Sequence, residues 1–568
     1  MEDAKPNKEL IFFRDSRLKT LLFIGVIFAT SVLVILPIYF NGIPYGNDLK
    51  QHYQFAATID QAIKTGDFST NWSQNDNNGY GGVGLRFYPP ISYYVLSIGH
   101  ILIGNWYDAS VLAFIFWMFL GSLGIFFWSK EFFSERASFV ASILYIFVPY
   151  HVVELYASFT YAEFAASGVL PFCFLFISKI CKNTKPIDVV SLAFCYAVLI
   201  LTHLPLTVIG SICLLIFTIF SAKLNFKKLA FCGTGAIFGL ILTSFHWIKI
   251  ITEMSWIKHS TETYSASGSS NYDFHSHFLL SFPYIYGLEN DANSLWYLDL
   301  AIVATLILCL PSIIIFYKNA GKKSKAEMLP IIIGFIVSFL MMTKLSQPIW
   351  ENITFLQKVQ FPWRWFSIVS IFSVIFVAAG FDYCLRIWKT EKRSQSVLVF
   401  ICIAFCVVFT CSQVIRQTTH LDETAFNKTI DNVAFETNCD CWLPTWANKN
   451  FSENNQKVVA ESRNTNIISW QRLDKTVKID PGTSTVVRFA VLYYPHWKAT
   501  INGNHVEVLK TEEGVISLPI SEVETTIKLN FIEPQNIQIV TLISKLSWLL
   551  LSILAIYLLW KTSLKSKI

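Results

Sequence analysis

Two side chains that could act together in acid–base chemistry, Asp48 and His52, lie four residues apart in "IPYGNDLKQHYQ", residues 43–54. On a helix this spacing places both side chains on one face. A carboxylate so placed could act as a general base, with the imidazole orienting it or holding a phosphate. The alternative is structural, because Asp48 would also suit the N-cap of a helix while His52 packs beside it.

Asp48 and His52 belong to a larger set of ionisable residues near the ends of apolar segments, where such groups usually face a cavity or a partner. From the span assignment given below, we place all of these residues on the outer side of the membrane. They are Asp48, His52, Arg86, His151, Glu154, Glu163, His203, His246 and Arg364. Their gathering on one side predicts a single polar cleft that opens outward.

Two arginines are candidates for binding a phosphate. Arg86 follows glycines in "GYGGVGLRFYPP", and Arg364 lies between tryptophans in "QFPWRWF". A guanidinium can grip a phosphate through two hydrogen bonds, and Gln360 could add another beside Arg364. Snorkelling at the interface is the alternative for Arg364. Tyr88 and the other aromatic residues of the glycine-rich stretch could stack on a sugar or anchor at the headgroup level.

A second acidic segment, "YHVVELYASFTYAEF" at residues 150–164, contains Glu154 and Glu163 but no Lys or Arg. A carboxylate at the lip of a span needs a partner, a metal ion or a proton. For Glu163 the start of a helix is a structural alternative, because the helix dipole favours a negative charge there. His203 and His246 each end a predicted span. Together with the carboxylates they could bind a metal, yet no ligand spacing specifies such a site.

The elements that must position these residues are membrane-spanning helices. Of the 568 residues, 53% are hydrophobic and 15% are charged, whereas a soluble protein would carry about a quarter charged residues. Apolar stretches long enough to cross a bilayer recur along most of the chain. We predict about twelve spans with both termini in the cytoplasm, at 20–40, 109–128, 137–150, 162–180, 188–203, 205–220, 230–247, 296–316, 328–343, 365–384, 397–413 and 537–560.

The orientation follows from the basic residues. Most Lys and Arg outside the long C-terminal loop lie in short loops, which predicts that these loops are cytoplasmic. The net charge of +6 therefore reports orientation, and we expect no nucleic-acid partner. Residues 41–108 then form a large outer loop, in which the apolar piece 89–104 is predicted to lie in the membrane surface rather than to cross it.

Residues 414–536 differ in character, with polar and apolar residues alternating in "TVVRFAVLYYPHWKATING" and "ETTIKLNFIE". This pattern predicts antiparallel strands in an extracytoplasmic β-sandwich. The domains are then 1–413, the transmembrane domain, 414–536, the β domain, and 537–568, the last span with a cytoplasmic tail. Cys439 and Cys441 are the only cysteines of the β region, and we predict no essential disulfide framework.

Six segments, in this order, resemble the bacterial YfhO-like membrane proteins, also labelled "6-pyruvoyl-tetrahydropterin synthase-related". They are "GNDLKQHY", "GYGGVGLRFYPPISYY", "PYHVVELYASFTYAEFAA", "LTHL", "QFPWRW" and "YYPHWKATING". The first span and the long outer loop with its Asp also resemble the GT-C class of membrane glycosyltransferases. The resemblance implies a multi-pass protein of the bacterial cytoplasmic (inner) membrane with an extracytoplasmic active side. The zinc–histidine chemistry that the pterin label would imply has no support in the sequence.

The resemblance implies inverting transfer of a sugar from a polyprenyl-phosphate-sugar donor to a cell-envelope glycan or lipid acceptor. Asp48 matches the acid of the first outer loop, which deprotonates the acceptor or orients a metal, and Glu163 matches the acid of the second. We group His52 with these two catalytic candidates. Our candidates for the donor phosphate are Arg86, His203, Arg364 and Gln360, and the remaining cleft residues are His151, Glu154, His246 and Tyr88.

Two questions stay open at this point. The GT-C class has members with and without a metal requirement, so Mg²⁺ or Mn²⁺ is neither assigned nor excluded. A transporter or flippase of a lipid-linked saccharide would also use an outward polar cleft, although inverted repeats are not apparent and the acids lie at the surface rather than mid-span. A non-catalytic envelope assembly protein that binds partners through its β domain is the third class.

Overall fold

The computed structural model describes residues 16–69, 71–260, 274–280, 296–387, 408, 411–412, 414–416, 418–433, 439–448, 451 and 456–565. Its α-helices are α1 Ser16–Asn41, α2 Leu49–Lys64, α3 Gly84–Phe87, α4 Ile91–Ile103, α5 Trp106–Ser129, α6 Glu135–Ile146, α7 Pro149–Val152, α8 Tyr161–Lys182, α9 Pro186–Ile200, α10 Leu204–Ala222, α11 Phe226–Leu242, α12 Ser244–Glu253, α13 Trp296–Asn319, α14 Lys322–Met341, α15 Gln347–Asn352, α16 Thr354–Gln357, α17 Phe366–Ile387, α18 Glu423–Val433 and α19 Gln535–Lys565. A π-helical turn, Val153–Ala157, follows α7.

Nine helices in the described part of the chain are long and apolar enough to cross a membrane. They are Arg17–Asn41, Trp106–Ser129, Glu135–Ala157, Tyr161–Lys182, Leu204–Ala222, Tyr297–Asn319, Lys322–Met341, Pro362–Leu385 and Gln535–Leu564. A tenth span is formed if α11 and the helix Ser244–Trp256, which are bent by 70° at their junction, cross together. The predicted polytopic α-helical fold is confirmed.

Two of the twelve predicted spans are absent from these ten. The predicted span at 188–203 corresponds to α9, whose 15 residues form a helix of only about 22 Å, so it is not counted among the ten by length. It nevertheless links the end of α8 to His203, which lies near Arg364, the partner of Glu163 at the start of α8. The chain through α9 therefore returns to the first-loop end of the bundle. The span at 397–413 lies largely outside the described residues. Helix α4 is also short, with 13 residues, in keeping with the prediction that 89–104 does not cross.

The helix bundle has two chemically different ends. At one end the carboxylate of Glu135 contacts Lys130 at 2.8 Å and Lys19 at 3.4 Å, both distances being between nitrogen and oxygen. Helix α1 runs from this basic end to the opposite end, where it is followed by the strand Ile43–Pro44 and by α2. The first loop therefore lies at the end of the bundle away from these lysines.

The C-terminal region contains two antiparallel sheets. Its strands are β3 Val458–Val459, β4 Thr465–Trp470, β5 Asp474–Ile479, β6 Val486–Leu492, β7 Trp497–Ile501, β8 Asn504–Val506, β9 Leu509–Lys510, β10 Val515–Pro519 and β11 Thr525–Phe531. Four strands pair in the order β3-β6-β10-β9 and five in the order β4-β5-β11-β7-β8. Inward residues of both sheets form one apolar core, which is the arrangement of a β-sandwich.

The glycine-rich stretch of the first loop packs onto this β-sandwich. Trp72, Tyr80 and Phe87 are buried in the same apolar core as the strands, and the backbone N–H of Leu492 donates to the carbonyl oxygen of Tyr80 over 2.8 Å. Gly81 has a φ of +83°, and the Trp72 ring occupies the space that a Cβ on it would need. These three rings therefore serve packing between the loop and the β domain, rather than stacking on a sugar.

The segment before the sandwich belongs structurally to the first loop. The two-residue strand β2, His420–Leu421, pairs antiparallel with β1, Ile43–Pro44. Helix α18 lies against α2, with the rings of Tyr53 and Phe426 at 5.0 Å. The sheets themselves start at Val458, later than the predicted domain start at 414, because this pairing and packing hold residues 418–433 beside the first loop.

Cysteines contribute little cross-linking in the described part of the chain. Its one disulfide joins Cys439 to Cys441, and a loop this short constrains the unfolded chain only weakly. The other eight described cysteines are free and buried. We keep the prediction that no disulfide framework is essential to the fold.

Candidate functional site

The start of the first loop is fixed by a close approach of two backbones. A Cβ on Gly46 would lie 2.5 Å from the Cβ of Phe159 and 2.6 Å from the carbonyl carbon of Ser158, so no side chain fits at this position. Phe159 itself has a positive φ of 54°. The contact fixes Asp48, two residues further on, beside the turn that precedes α8.

Asp48 is a carboxylate that makes no hydrogen bond within the described part of the chain. It occupies the N-cap position of α2, yet its side chain accepts no capping hydrogen bond, so the structural alternative of a helix cap is not supported. Surrounding protein raises the pKa of Asp48 to about 6, and the charge of Arg364 opposes this rise. The residue is nevertheless exposed, so we place the predicted cleft at this surface, where remaining water moderates the shift.

Arg364 faces this cleft with only part of its hydrogen-bonding capacity used. Its Nη1 donates to the carbonyl oxygen of Val359 over 2.8 Å, and its Nε lies 3.2 Å from Oε2 of Glu163. The guanidinium lies over the ring of Phe361 at 5.1 Å. Within the described residues Nη2 makes no hydrogen bond. Gln360, at a φ of +75°, also has a side chain without a hydrogen bond in that part.

Glu163 is fixed by two hydrogen bonds and by its ion pair with Arg364. Its Oε1 accepts hydrogen bonds from the hydroxyls of Tyr150, at 2.8 Å, and Ser367, at 3.0 Å. The residue is 1% exposed, so a ligand in the cleft cannot reach it freely. This geometry makes Glu163 a residue that positions Arg364, rather than one that touches a substrate.

Two neutral histidines complete the wall of the cleft. His203 is the N-cap of α10, and its Nδ1 accepts from the backbone N–H of Leu206 at 3.3 Å, so its proton is on Nε2. Nδ1 of His52 lies 2.7 Å from the Tyr93 hydroxyl, and Nε2 has no partner in the described part of the chain. Burial lowers the pKa of His52 to about 3, and burial and then Arg364 keep the pKa of His203 well below its ordinary value.

An aromatic rim surrounds Asp48 and Arg364. Tyr88 lies close enough to Asp48 that the carboxylate charge helps to raise the tyrosine pKa, second to burial, and its ring is 5.9 Å from that of Trp442. The His259 ring stacks on Trp442 at 4.8 Å. Burial lowers the pKa of His259 to about 4, with smaller contributions from Lys358 and Arg364. Neither Trp442 nor His259 stands in a sequence pattern that predicts this position.

Four of the predicted cleft residues lie outside this group, namely His151, Glu154, His246 and Arg86. His151 and Glu154 are both buried and pair with each other, with Nδ1 2.8 Å from Oε2. The sequence predicts that Glu154 needs a partner, a metal ion or a proton, and the imidazole of His151 is that partner. Both lie within the span Glu135–Ala157. His246 lies in α12 near the cation of Lys249, and its Nε2 has no partner in the described part of the chain.

Arg86 is occupied by carboxylates of distant segments. Its Nε and Nη2 donate to Glu253 over 2.5 and 2.7 Å, and its Nη1 and Nη2 donate to Glu533 over 2.5 and 2.8 Å. His496 lies 3.1 Å from Nη2, and the Tyr494 ring lies 5.8 Å from the guanidinium carbon. Arg86 is only 1% exposed. We therefore do not carry the predicted phosphate contact of Arg86 forward, and we assign it to the joint between loop, α12, sandwich and α19.

The same cluster is the one group of three metal-ligating side chains that distance allows in the described residues. Glu253, His496 and Glu533 offer atoms within 4.8 Å of one another. The guanidinium of Arg86 already bridges both carboxylates, which places a cation where a metal ion would have to lie. The cluster does not fit a divalent metal, and the metal question at Asp48 stays a prediction.

A family model described as "6-pyruvoyl-tetrahydropterin synthase related domain; membrane protein" matches residues 85–417, which is more than half of the chain. The chain belongs to this family. The match includes Glu163, His203 and Arg364 but begins after Asp48 and His52, so the family model leaves the first half of the candidate site uncovered.

No curated protein matches the sequence of this family member. Among solved structures it is similar to the arabinofuranosyltransferase AftD from Mycobacteria, with 13% identity, a TM-score of 0.47, and coverage of 69% of this chain and 26% of that one. The oligosaccharyltransferase of Archaeoglobus fulgidus shows 12% identity and a TM-score of 0.45, and the match covers 71% of this chain and 56% of that one. ArnT from Cupriavidus metallidurans, bound to undecaprenyl phosphate, shows 11% identity and a TM-score of 0.41, and the match covers 75% of this chain and 76% of that one. The family member thus spans about a quarter of AftD and little over half of the archaeal enzyme.

Proposed function

We propose that this protein is a membrane glycosyltransferase that moves a sugar from a polyprenyl-phosphate-sugar to a cell-envelope glycan or lipid. The observation that carries the proposal is an exposed carboxylate, Asp48, near Arg364; among the described residues neither the Asp48 carboxylate nor Nη2 of Arg364 makes a hydrogen bond. A base and a cation in one open cleft are the two groups that displacement of a phosphate by a hydroxyl requires. The sequence resemblance to the GT-C class supports the same chemistry.

In the proposed reaction Asp48 accepts the proton of an acceptor hydroxyl. The hydroxyl oxygen then forms a bond to the anomeric carbon of the donor sugar, and the bond between that carbon and the phosphate oxygen breaks. The lipid phosphate leaves with the electron pair of this bond. Asp48 afterwards releases its proton to water, which the open cleft allows. Attack opposite the leaving group inverts the anomeric carbon, as the resemblance implies.

The phosphate is proposed to bind at Arg364 and His203. The leaving phosphate gains negative charge during the reaction, so fixed donors that face it lower the barrier. Arg364 supplies Nη2, and His203 supplies an Nε2–H because its Nδ1 is already an acceptor. Gln360 lies next to this group and remains a candidate contact. His52 supports Asp48 from the adjacent turn of α2 and is a second candidate donor.

The proposed side of the reaction is extracytoplasmic. The end of the bundle opposite Asp48 carries Lys19 and Lys130, and basic residues favour the cytoplasmic side. Cysteines introduced at the exposed Gln61 and Arg136 should therefore react with a membrane-impermeant maleimide from opposite sides of intact cells. Labelling of both from outside would contradict the proposed orientation.

The test of the activity uses purified protein in lipid nanodiscs with a panel of radiolabelled polyprenyl-phosphate-sugars. We expect release of sugar to water or transfer to an added acceptor extract, with undecaprenyl phosphate as the lipid product. In vesicles, movement of the intact lipid-linked sugar without cleavage would instead identify a flippase. Absence of both, with binding of envelope proteins, would identify an assembly protein. Parallel assays with EDTA, Mg²⁺ and Mn²⁺ measure the metal requirement.

A further inference from the structure

A narrow polar pocket lies beside the proposed catalytic cleft. It is formed by α2, the glycine-rich turn and the segment around Trp442, and its empty volume is about 270 Å³ including its open mouth. Its interior is little wider than a water molecule, so it can receive one small polar group rather than a whole sugar ring. The mechanism described above uses none of the polar residues that line it.

Two oxygen atoms in this pocket lack partners. Oδ1 of Asp76 and Oε1 of Gln51 are buried and accept no hydrogen bond in the described part of the chain. Asp76 is 5% exposed, and burial raises the pKa of its carboxyl group to about 7 against hydrogen bonds from Ser73, Gln54 and Thr58, which lower it. Gln51 is oriented by its Nε2, which donates to Oε1 of Gln54 over 3.0 Å. Buried acceptors without partners are costly, so a ligand with donor groups would stabilise them.

The remaining wall of the pocket is aromatic. Phe55 and Trp442 line it, with their rings 6.0 Å apart. Gly84 permits this arrangement, because a Cβ there would lie 2.9 Å from the Phe55 ring and 3.3 Å from that of Trp442. Tyr88 contacts both rings, at 5.1 and 5.9 Å, and it also adjoins Asp48. The pocket therefore opens next to the proposed base.

We propose that this pocket binds the acceptor, by taking one hydroxyl-bearing edge of a saccharide while the sugar ring rests at the mouth against Trp442. The inference rests on the proposed function, since it orients an acceptor hydroxyl towards Asp48. A carbohydrate fits the combination of acceptor oxygens and aromatic faces, because its hydroxyls donate while its C–H faces pack on rings. A metal ion fits less well, since the pocket offers one carboxylate and two apolar walls.

The test is saturation-transfer NMR of the full-length protein in nanodiscs with a panel of methyl glycosides of common hexoses and pentoses. We expect at least one glycoside to bind the wild type. Its affinity should fall at least ~10-fold in Asp76→Asn, because the amide replaces an acceptor oxygen by an NH2 group that cannot accept from a sugar hydroxyl. The partly exposed Gln51→Ala is a second variant that does not rely on changing the buried acid. Glu507→Gln, on an exposed residue of the β-sandwich, is the control without effect.

The outcomes separate this inference from the function on which it rests. Wild-type binding of undecaprenyl phosphate, measured in the same nanodiscs, reports on the donor site alone. If that lipid binds but no glycoside does, or if glycoside binding is unchanged in both folded variants, the acceptor pocket is overturned while the glycosyltransferase proposal stands. Ca²⁺ binding that Asp76→Asn abolishes, without glycoside binding, would reassign the pocket to a cation and also overturn the inference.

Discussion

Arg86 and Arg364 are both buried arginines beside glutamates, but only one of them is fully occupied. Arg86 bridges two carboxylates, Glu253 and Glu533, with four hydrogen bonds of 2.5 to 2.8 Å. In the part of the chain that the structure describes, Arg364 has one hydrogen bond, to a carbonyl, and one ion pair, to Glu163. The sequence makes both arginines candidates for one role, since each lies in an aromatic segment on the predicted outer side of the membrane.

The difference teaches how to separate a structural arginine from a binding one. A guanidinium has five N–H donors, and at Arg86 the protein itself uses the directions that a phosphate would need. At Arg364, Nη2 has no hydrogen bond to the described residues, and the exposed carboxylate of Asp48 lies near enough for the two charges to interact. Unused donors next to an accessible base indicate a site for a ligand, whereas a closed ion-pair network indicates a joint between segments.

The sharpest way to test the joint is Arg86→Ala. Two carboxylates, one of them fully buried, would lose their partner, which costs about 3–5 kcal/mol of folding free energy. We therefore expect a large drop in the melting temperature of the detergent-purified protein, measured by tryptophan fluorescence. Arg136→Ala, at an exposed position, should leave that temperature unchanged. A stable Arg86→Ala protein with weakened donor binding would return Arg86 to the phosphate site.

Lysine substitutions sharpen the comparison at both positions. Arg364→Lys should weaken binding of undecaprenyl phosphate by about 10-fold, because an ammonium cannot reproduce the fixed two-pronged geometry. Arg86→Lys should leave this affinity unchanged, whatever its effect on stability. Binding isotherms in nanodiscs give both values. Equal affinity in the two Lys variants and the wild type would mean that neither arginine binds the lipid phosphate.

The pH dependence of transfer gives the smallest of these effects. Asp48 can accept a proton only when ionised, and its pKa is raised to about 6 by the surrounding protein. Activity should be full above this pH and should fall as the pH decreases through about 6, by up to about tenfold per unit below it. A profile of kcat/KM from about pH 5 to 8 measures this. A flat profile in a stable enzyme would exclude Asp48 as the base.

The helical fold could be predicted from sequence because a span needs only a long apolar run. Nine of the twelve predicted spans coincide with single long apolar helices, and a tenth coincides with the bent pair of helices at Phe226–Leu242 and Ser244–Trp256. The sequence did not reveal that residues 418–433, after the predicted boundary at 414, lie beside the first loop. The pairing of His420 with Pro44, which holds them there, joins residues far apart in the chain. A short strand of two residues has no alternating pattern by which it could be recognised.

The sequence could predict members of the candidate site only through the side of the membrane on which each residue lies. Asp48, His52, His203 and Arg364 all lie on the predicted outer side of the membrane. The structure brings them close together, since the charge of Arg364 acts on both Asp48 and His203, and His203 lies near His52. The partners of Arg86 could not be foreseen, since Glu253 and Glu533 come from two other segments. Trp442 reaches the cleft through the connector after residue 433, for which the sequence offered no signal.

The most direct measurement of the central claim is sugar transfer by Asp48→Asn. The side chain makes no capping bond, and asparagine caps almost as well as aspartate, so folding and undecaprenyl phosphate binding should not change. Asp431→Asn, at an exposed position in α18, is the matched control. We predict a loss of transfer of at least ~100-fold for Asp48→Asn alone. Near-normal transfer by folded, membrane-inserted Asp48→Asn protein would contradict the role of Asp48 as the base.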